Sequence, residues 1–222
     1  MIVVYEYPFH ESIRTMLRLE QLFGRLDLLR SRDHAVDHHF ALATLFEIMD
    51  VAARADLKSD LLLDLDRQRS QLAAYRGNPS ISEAALDAAV TSINTAWQAL
   101  NALPGKAGQS LTTNEGLMSI RSRISIPGGT CSFDLPGYHA WQQGPVEQRK
   151  ADLERWIAGF TPLWDALRVS LGLLREAGSP QTVTTRNGQH QQTLGGGRSY
   201  QLLRVAIDDS AGLVPEISGN RL

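Results

Sequence analysis

The hydrophobic positions of this chain follow a helical period over most of its length. Between Glu11 and Gly178, apolar side chains recur every three to five residues and charged residues occupy the opposite faces, as in amphipathic helices. The clearest apolar stripes run from Ile13 to Leu29, Leu42 to Met49, Leu57 to Leu72, Leu86 to Leu100, Val146 to Phe160 and Leu163 to Leu174. These stretches predict a mostly helical region.

The stripe from Leu86 to Leu100 has the spacing of long packed helices. Its apolar residues follow one another at alternating steps of four and three residues, which places them along one side of a helix. The stretch is too short to predict a free coiled coil. The core of a helix bundle and the interface of a dimer explain it equally well.

The two ends of the chain have the character of β-strands. Residues 2–5 (IVVY) are β-branched or aromatic, and residues 200–207 (YQLLRVAI) predict a second strand. Asn187-Gly188 is a strong signal for a hairpin turn, and residues 214–222 (VPEISGNRL) are expected to lead into another strand. A sheet of so few strands has an unprotected edge. We therefore expect the native polypeptide to continue beyond Leu222.

These patterns predict an α+β fold with two domains. A mostly helical domain covers residues 9–178, and a smaller antiparallel β domain combines residues 1–8 with residues 179–222. The β domain is expected to be incomplete, because the chain stops where a further strand should begin.

Composition excludes several classes of protein. The chain has 222 residues, of which 43% are hydrophobic and 21% charged, which does not fit a wholly disordered protein. A net charge of −2 provides no overall attraction to nucleic acid. The sequence shows neither the roughly 18-residue apolar run of a membrane-spanning helix nor a secretory signal. A cytoplasmic protein is therefore expected.

Two groups of residues could in principle carry chemistry. His34, His38 and His39 include an i, i+4 pair that could ligate zinc, but the glutamate of the HExxH pattern is absent, so a polar helix start is favoured. Cys131 lies eight residues before His139 and could act as a nucleophile. No activating context is visible, and a buried structural cysteine is favoured.

The segment IPGGTCSFDLP, residues 126–136, contains paired glycines. It fits neither the phosphate-loop pattern nor GxGxxG. Gly128 and Gly129 can adopt positive φ, and Pro127 and Pro136 restrict the backbone on either side, so the segment predicts a rigid turn. The residues by themselves indicate no catalytic set, no metal and no cofactor, and they favour a binding module.

Residues 120–136 (IRSRISIPGGTCSFDLP) closely resemble the signature of the ZapD family, the Z-ring-associated cell division protein D. The residues that carry this signature are Pro127, Gly128, Gly129, Cys131, Phe133 and Asp134. Residues 13–23 (IRTMLRLEQLF), 63–72 (LDLDRQRSQL) and 215–219 (PEISG) also agree. The resemblance covers essentially the whole chain in order.

The resemblance implies a non-enzymatic cell division factor. Family members are cytoplasmic homodimers that bind the carboxyl-terminal tail of the tubulin-like protein FtsZ, bundle its filaments and stabilise the mid-cell Z-ring during septation. No small-molecule substrate, nucleic acid, membrane or cofactor is implied. A generic cytoplasmic helical scaffold or adaptor with another protein partner remains the alternative.

Three arginines are predicted to bind the FtsZ tail. By resemblance, Arg54 matches a basic residue that follows a helix ending near Val51, and Arg221 loosely matches basic residues of the last strands. Arg204 is our own inference from its polar position in residues 200–207. A disordered, partly acidic tail suits an apolar groove with arginine side chains. The helical domain is expected to dimerise, with the Leu86–Leu100 stripe as a candidate interface.

Overall fold

The computed structural model describes residues 1–53, 56–195 and 199–218. The elements in chain order are β1 (Ile2–Pro8), α1 (Glu11–Ser31), α2 (Ala35–Ala52), α3 (Leu57–Ala73), α4 (Glu83–Ala102), α5 (Glu115–Arg123), α6 (Pro136–Gln143), α7 (Val146–Ile157), α8 (Thr161–Glu176) and β2 (Leu202–Asp208). A small antiparallel sheet thus accompanies a predominantly helical chain. The predicted α+β class is confirmed.

The chain divides into two compact units. The helical unit comprises Met16–Leu171, and the sheet unit comprises the described residues of Met1–Thr15 and Gly172–Leu222. The division falls inside α1 and α8.

The core of the helical unit is built from the inward faces of its helices, as the apolar stripes predict. Phe160 is fully buried, and its ring packs directly over the backbone of Gly108. A Cβ atom at Gly108 would lie 2.0 Å from that ring, and the residue has a φ of +73°, so only glycine fits there. The largest fully buried side chains are Phe160, Met16, Leu19, Leu26, Leu42, Leu45, Ile48, Leu61, Leu65, Ile93, Leu100 and Leu117.

The stripe on α4 belongs to this core. Leu86, Ile93 and Leu100 are buried, and α4 packs against α3. Of the two interpretations left open by the sequence, the bundle core is confirmed. The Leu86–Leu100 stripe as a candidate dimer interface is wrong, because its main apolar side chains are already covered within the chain.

A buried arginine links α7 to the start of α2. The Nε of Arg149 donates a hydrogen bond to Nδ1 of His38 at 3.0 Å, and its Nη atoms donate to the carbonyl oxygens of Gly144 and Asp33. His38, also buried, uses Nε2 to donate to the carbonyl oxygen of Arg32 at 2.8 Å. Because Nδ1 accepts and Nε2 donates, the contacts select the neutral form of His38.

The sheet unit pairs the two ends of the chain. β1 and β2 run antiparallel, with Ile2 opposite Asp208 and Pro8 opposite Leu202. The strand predicted at residues 2–5 is confirmed and extends to Pro8. The strand predicted at residues 200–207 is also confirmed, shifted slightly toward the carboxyl end.

The predicted turn at Asn187-Gly188 forms without a flanking hairpin. Both residues have positive φ, +50° and +74°, and Arg186 pairs with Gln189 across the turn. The residues on either side form no strand, since a turn signal fixes only local geometry and the neighbouring side chains are exposed. Residues 213–218 also form no strand.

Candidate functional site

One face of the sheet presents apolar side chains beside an arginine. The register places Val4 opposite Ala206 and Glu6 opposite Arg204. Alternate residues of a strand share a face, and so do directly opposite residues. Ile2, Val4, Glu6, Arg204, Ala206 and Asp208 therefore lie on one side, which we call the Arg204 face. Ile2, Val4, Arg204 and Ala206 are exposed there.

Two arginines converge on the carboxylate of Glu6. Arg175, in the last turn of α8, donates from Nε and Nη2 to the two carboxylate oxygens at 2.7 Å each. The Nε of Arg204 lies 3.2 Å from Oε1 of the same carboxylate. The side chains of Arg175 and Glu6 are 24% and 19% exposed, whereas that of Arg204 is 44% exposed. Two positive charges therefore face one negative charge, and the more exposed one borders the apolar strip.

The contacts keep Glu6 ionised. The hydrogen bond from Arg175 is the largest cause of a lowered pKa for this carboxyl, partial burial opposes it, and the charges of Arg175 and Arg204 lower the pKa further. The Nη1 of Arg204 also donates to the carbonyl oxygen of Arg175 at 3.4 Å. Arg204 is thus held on the sheet face, where an apolar surface and an excess positive charge suit a partly acidic peptide.

Of the three predicted binding arginines, the structure describes only Arg204. Its exposed position on β2 agrees with the inference from its polar place in the sequence, while its role in binding stays a prediction. Arg54 and Arg221 lie outside the described residues. α2 ends at Ala52, two residues before Arg54, close to the expected helix end at Val51.

Sequence reasoning missed two residues of this site, Glu6 and Arg175. They are 169 positions apart in the chain, and no local pattern connects them. The apolar part of the face could have been found, because alternation along residues 2–5 already places Ile2 and Val4 on one side of a strand.

The signature segment forms hydrogen-bonded turns between α5 and α6. Gly128 has a φ of +69°, as the glycine pair predicts. Gly129 is required for a different reason, since a Cβ there would lie 2.6 Å from the carbonyl oxygen of Arg123. The carbonyl oxygen of Cys131 accepts from the N–H of Asp134 at 3.0 Å. The predicted rigid turn is therefore present.

The prediction of a buried structural cysteine is wrong. Cys131 is exposed, because the turn engages its backbone and leaves its side chain at the surface of the helical unit.

The histidine cluster has structural roles. His34 caps α2, its Nδ1 accepting from the N–H of Val36, and the Nδ1 of His39 lies 2.8 Å from the hydroxyl of Tyr138. His38 is held between Arg149 and the backbone, as described above. In the part of the chain that the structure describes, no three histidine, cysteine or acidic side chains are grouped as metal ligands.

Comparison with known proteins shows which family this chain matches. The model of the family described as "ZapD: Cell division protein" matches residues 17–222. Within the described ranges, the structure contains no helix with the length and apolar character needed to cross a membrane.

Curated relatives agree along almost the whole chain. Cell division protein ZapD of Ralstonia pickettii is 55% identical over 221 residues, which are 99% of this chain and 87% of the relative. The protein of the same name from Ralstonia nicotianae is also 55% identical over the same shares, and that of a Janthinobacterium species is 49% identical over 220 residues. Identity at this level across nearly all of the sequence means that the chain belongs to the ZapD family of cell division proteins.

Proposed function

We propose that this chain is a non-enzymatic cell division factor that acts as a cytoplasmic homodimer at the mid-cell ring. It binds the carboxyl-terminal tail of FtsZ, cross-links and bundles FtsZ filaments, and stabilises the Z-ring during septation. The observation that carries the proposal is the relationship to ZapD cell division proteins over nearly the full chain.

The Arg204 face supports the tail-binding part of the proposal. Exposed Ile2 and Val4 form an apolar strip, and Arg204 borders it with a positive charge that Glu6 only partly balances. A disordered tail that is both acidic and apolar gains from the two features together. Arginine is suited to this task because its planar guanidinium can form paired hydrogen bonds with a carboxylate.

Dimerisation explains how a weak contact can bundle filaments. A single short peptide on an exposed surface binds weakly, since ordering the peptide costs much of the interaction energy. Two such sites on one dimer, facing polymers with many tails, gain avidity of roughly 10²–10⁴ from effective concentration. Cross-linking therefore depends more on two sites per particle than on the strength of each.

The decisive experiment is light scattering and co-sedimentation of FtsZ with GTP, with and without this protein. We expect the protein to increase both signals with intact FtsZ and to have no effect on FtsZ that lacks its tail. Bundling that persists without the tail would exclude tail binding. Failure to bind FtsZ at all would favour the alternative, an adaptor with another protein partner.

Arg54→Glu tests the predicted binding arginine on the helical unit. Charge reversal should repel an acidic tail and reduce co-sedimentation about tenfold or more, as expected for loss of a charged contact at a binding site, while the oligomeric state is unchanged. Arg155→Glu is a matched control, because Arg155 is an exposed arginine on α7 paired with Asp152. If the two variants co-sediment with FtsZ to the same extent, Arg54 is not part of the binding site.

A further inference from the structure

The sheet carries a row of alternating charges that lacks its last member. Arg175 donates to both oxygens of the Glu6 carboxylate, and Nε of Arg204 lies 3.2 Å from one of the same oxygens. The row is therefore positive, negative, positive. Its two inner side chains are mostly covered, whereas that of Arg204 is the most exposed of the three. A further anion beside Arg204 would balance the row.

The guanidinium of Arg204 is held by some of its nitrogen atoms and leaves another uncommitted. Nε faces Oε1 of Glu6, and Nη1 donates to the carbonyl oxygen of Arg175 at 3.4 Å. Among the described residues, Nη2 of Arg204 has no acceptor. Nη1 and Nη2 stand side by side at the tip of the side chain, where their N–H groups match the two oxygens of a carboxylate. Arg204 can therefore bind a carboxylate from outside the chain without releasing Glu6.

The apolar part of the Arg204 face follows the charged part along the strands. Val4 and Ala206 form the next cross-strand pair on this face after Glu6 and Arg204, and both are exposed. Successive residues on one face of a strand are about 7 Å apart. An extended peptide has the same repeat, so two of its side chains that are two positions apart can reach Arg204 and Val4 together.

The far end of the Arg204 face carries a negative charge. Asp208, opposite Ile2, is exposed, and hydrogen bonds from the N–H and hydroxyl of Ser210 lower the pKa of its carboxyl. The amino group of Met1 lies 3.7 Å away, but such an exposed pair contributes little. An acidic ligand side chain is therefore attracted to the Arg204 end and disfavoured at the Asp208 end.

We infer that the Arg204 face binds an extended peptide segment with an acidic side chain and an apolar side chain two positions apart. Arg204 receives the carboxylate, and Val4 and Ala206 contact the apolar group. Glu6 and Arg175 are positioning residues, because they hold the guanidinium of Arg204 without contacting the ligand. This inference rests on the proposed tail binding and names the kind of segment that the site recognises.

A positioning role for Glu6 differs from a purely electrostatic one in the sign of its effect. The negative charge of Glu6 repels an acidic ligand, so charge alone predicts that Glu6→Gln binds the ligand more tightly. As a positioning residue, Glu6 restrains a long side chain before the ligand arrives, and less conformational entropy is then lost on binding. Glu6→Gln should therefore bind the ligand more weakly, although the variant gains net positive charge.

NMR titration of the full chain with short synthetic peptides tests the spacing. A peptide with blocked ends, Gly-Asp-Gly-Ile-Gly, should shift the amide resonances of Val4, Arg204 and Ala206, with a dissociation constant on the order of 1 mM. Gly-Asp-Ile-Gly-Gly has the same composition, but its two side chains point to opposite faces. It should bind about fivefold more weakly, because one apolar contact is lost. Asparagine in place of the aspartate should weaken binding about tenfold.

Variants of the chain test the roles of the residues. Arg204→Lys keeps the charge but loses the planar guanidinium, and should bind the first peptide about tenfold more weakly. Glu6→Gln should bind it about fivefold more weakly, because the ligand must then order the side chain of Arg204. Arg186→Gln is the matched control, since Arg186 is an exposed arginine in the turn of residues 186–189, outside the Arg204 face. The amide resonances of β1 and β2 establish that each variant keeps the sheet.

The outcomes separate this inference from the proposed function. A preference for the first peptide, weakened by Arg204→Lys and Glu6→Gln but not by Arg186→Gln, supports the inference. Equal affinity for the two spacings overturns it, and so does an Arg204→Lys variant that binds as the wild type does. Tighter binding by Glu6→Gln overturns the positioning role. If FtsZ is bundled through its tail but the peptide does not bind, the inference fails and the proposed function stands. Peptide binding without any binding of FtsZ has the opposite meaning.

Discussion

The helical unit and the sheet unit are stabilised by different interactions. In the helical unit, side chains from every helix meet in a core where residues such as Phe160 and Leu167 are fully buried. In β1 and β2, every residue is at least partly exposed. The sheet therefore depends on backbone pairing and on the contacts of Glu6, since two strands alone are marginally stable.

This difference assigns different tasks to the two units. Hydrophobic burial supplies most of the folding free energy of a domain, and the helical unit is where this chain buries its large apolar side chains. The exposed side chains of the sheet contribute less to stability, so they are available for binding. The three variants or conditions below should separate the units, from the largest effect to the smallest.

Phe160→Ala should cause the largest loss of stability. Removing a fully buried ring leaves a cavity next to Gly108, at a cost of about 3–5 kcal/mol in the free energy of unfolding. Val4→Ala on the sheet should cost less than about 1 kcal/mol, because Val4 is exposed. Denaturant unfolding of both variants measures the contrast, and equal losses would mean that the two units do not differ as described.

Glu6→Gln should weaken the sheet by an intermediate amount. It leaves the largely covered guanidinium of Arg175 without its carboxylate, at a cost of about 1.5–3 kcal/mol. Hydrogen exchange of the β1 and β2 amides should quicken while the amides of α2 are unaffected. Glu11→Gln is the control, since Glu11 forms an exposed pair with Arg14, and such pairs contribute about 0–1 kcal/mol. Faster exchange throughout α2 would contradict this assignment.

Acidification should produce the smallest effects, in a separate pH window for each unit. Burial lowers the pKa of His38, and the charges of Arg149 and Lys150 lower it further, opposed by the carbonyl of Arg32 and by Asp37. When the pH falls below the ordinary histidine pKa of 6.5, His38 binds a proton in the unfolded chain but stays neutral in the folded protein. The helical unit should lose up to about 1.4 kcal/mol per pH unit there, until the folded pKa is reached.

The sheet should respond only at lower pH. The pKa of Glu6 is also lowered when folded, so its contribution is complete above the ordinary value of 4.5 and is lost as the pH falls through the folded pKa. Hydrogen exchange as a function of pH measures both windows. His38→Gln, which can still accept from Arg149 and donate to a carbonyl, should flatten the first window only. If His38→Gln loses stability in the first window as the wild-type protein does, His38 is not the cause of that loss.

Local patterns predicted much of the fold. Apolar spacing predicted the helical region, because an amphipathic helix buries one face whatever its partner is. The β-branched residues 2–5 predicted β1, and Asn187-Gly188 predicted its own turn through the positive φ that these residues tolerate. The signature segment predicted both the rigid turn and the family, since its glycines and prolines act on the backbone where they stand.

The amino-acid sequence by itself determined most of the helices, the strands β1 and β2, the α+β class and the family. The tertiary structure decided what each apolar or charged residue faces. It buried the Leu86–Leu100 stripe in the core, exposed Cys131 and Phe133, and brought Glu6 to Arg175 from the opposite end of the chain. The reason is physical: a local pattern fixes backbone conformation through neighbouring residues, whereas burial and charge pairing depend on chain segments that are far apart in sequence.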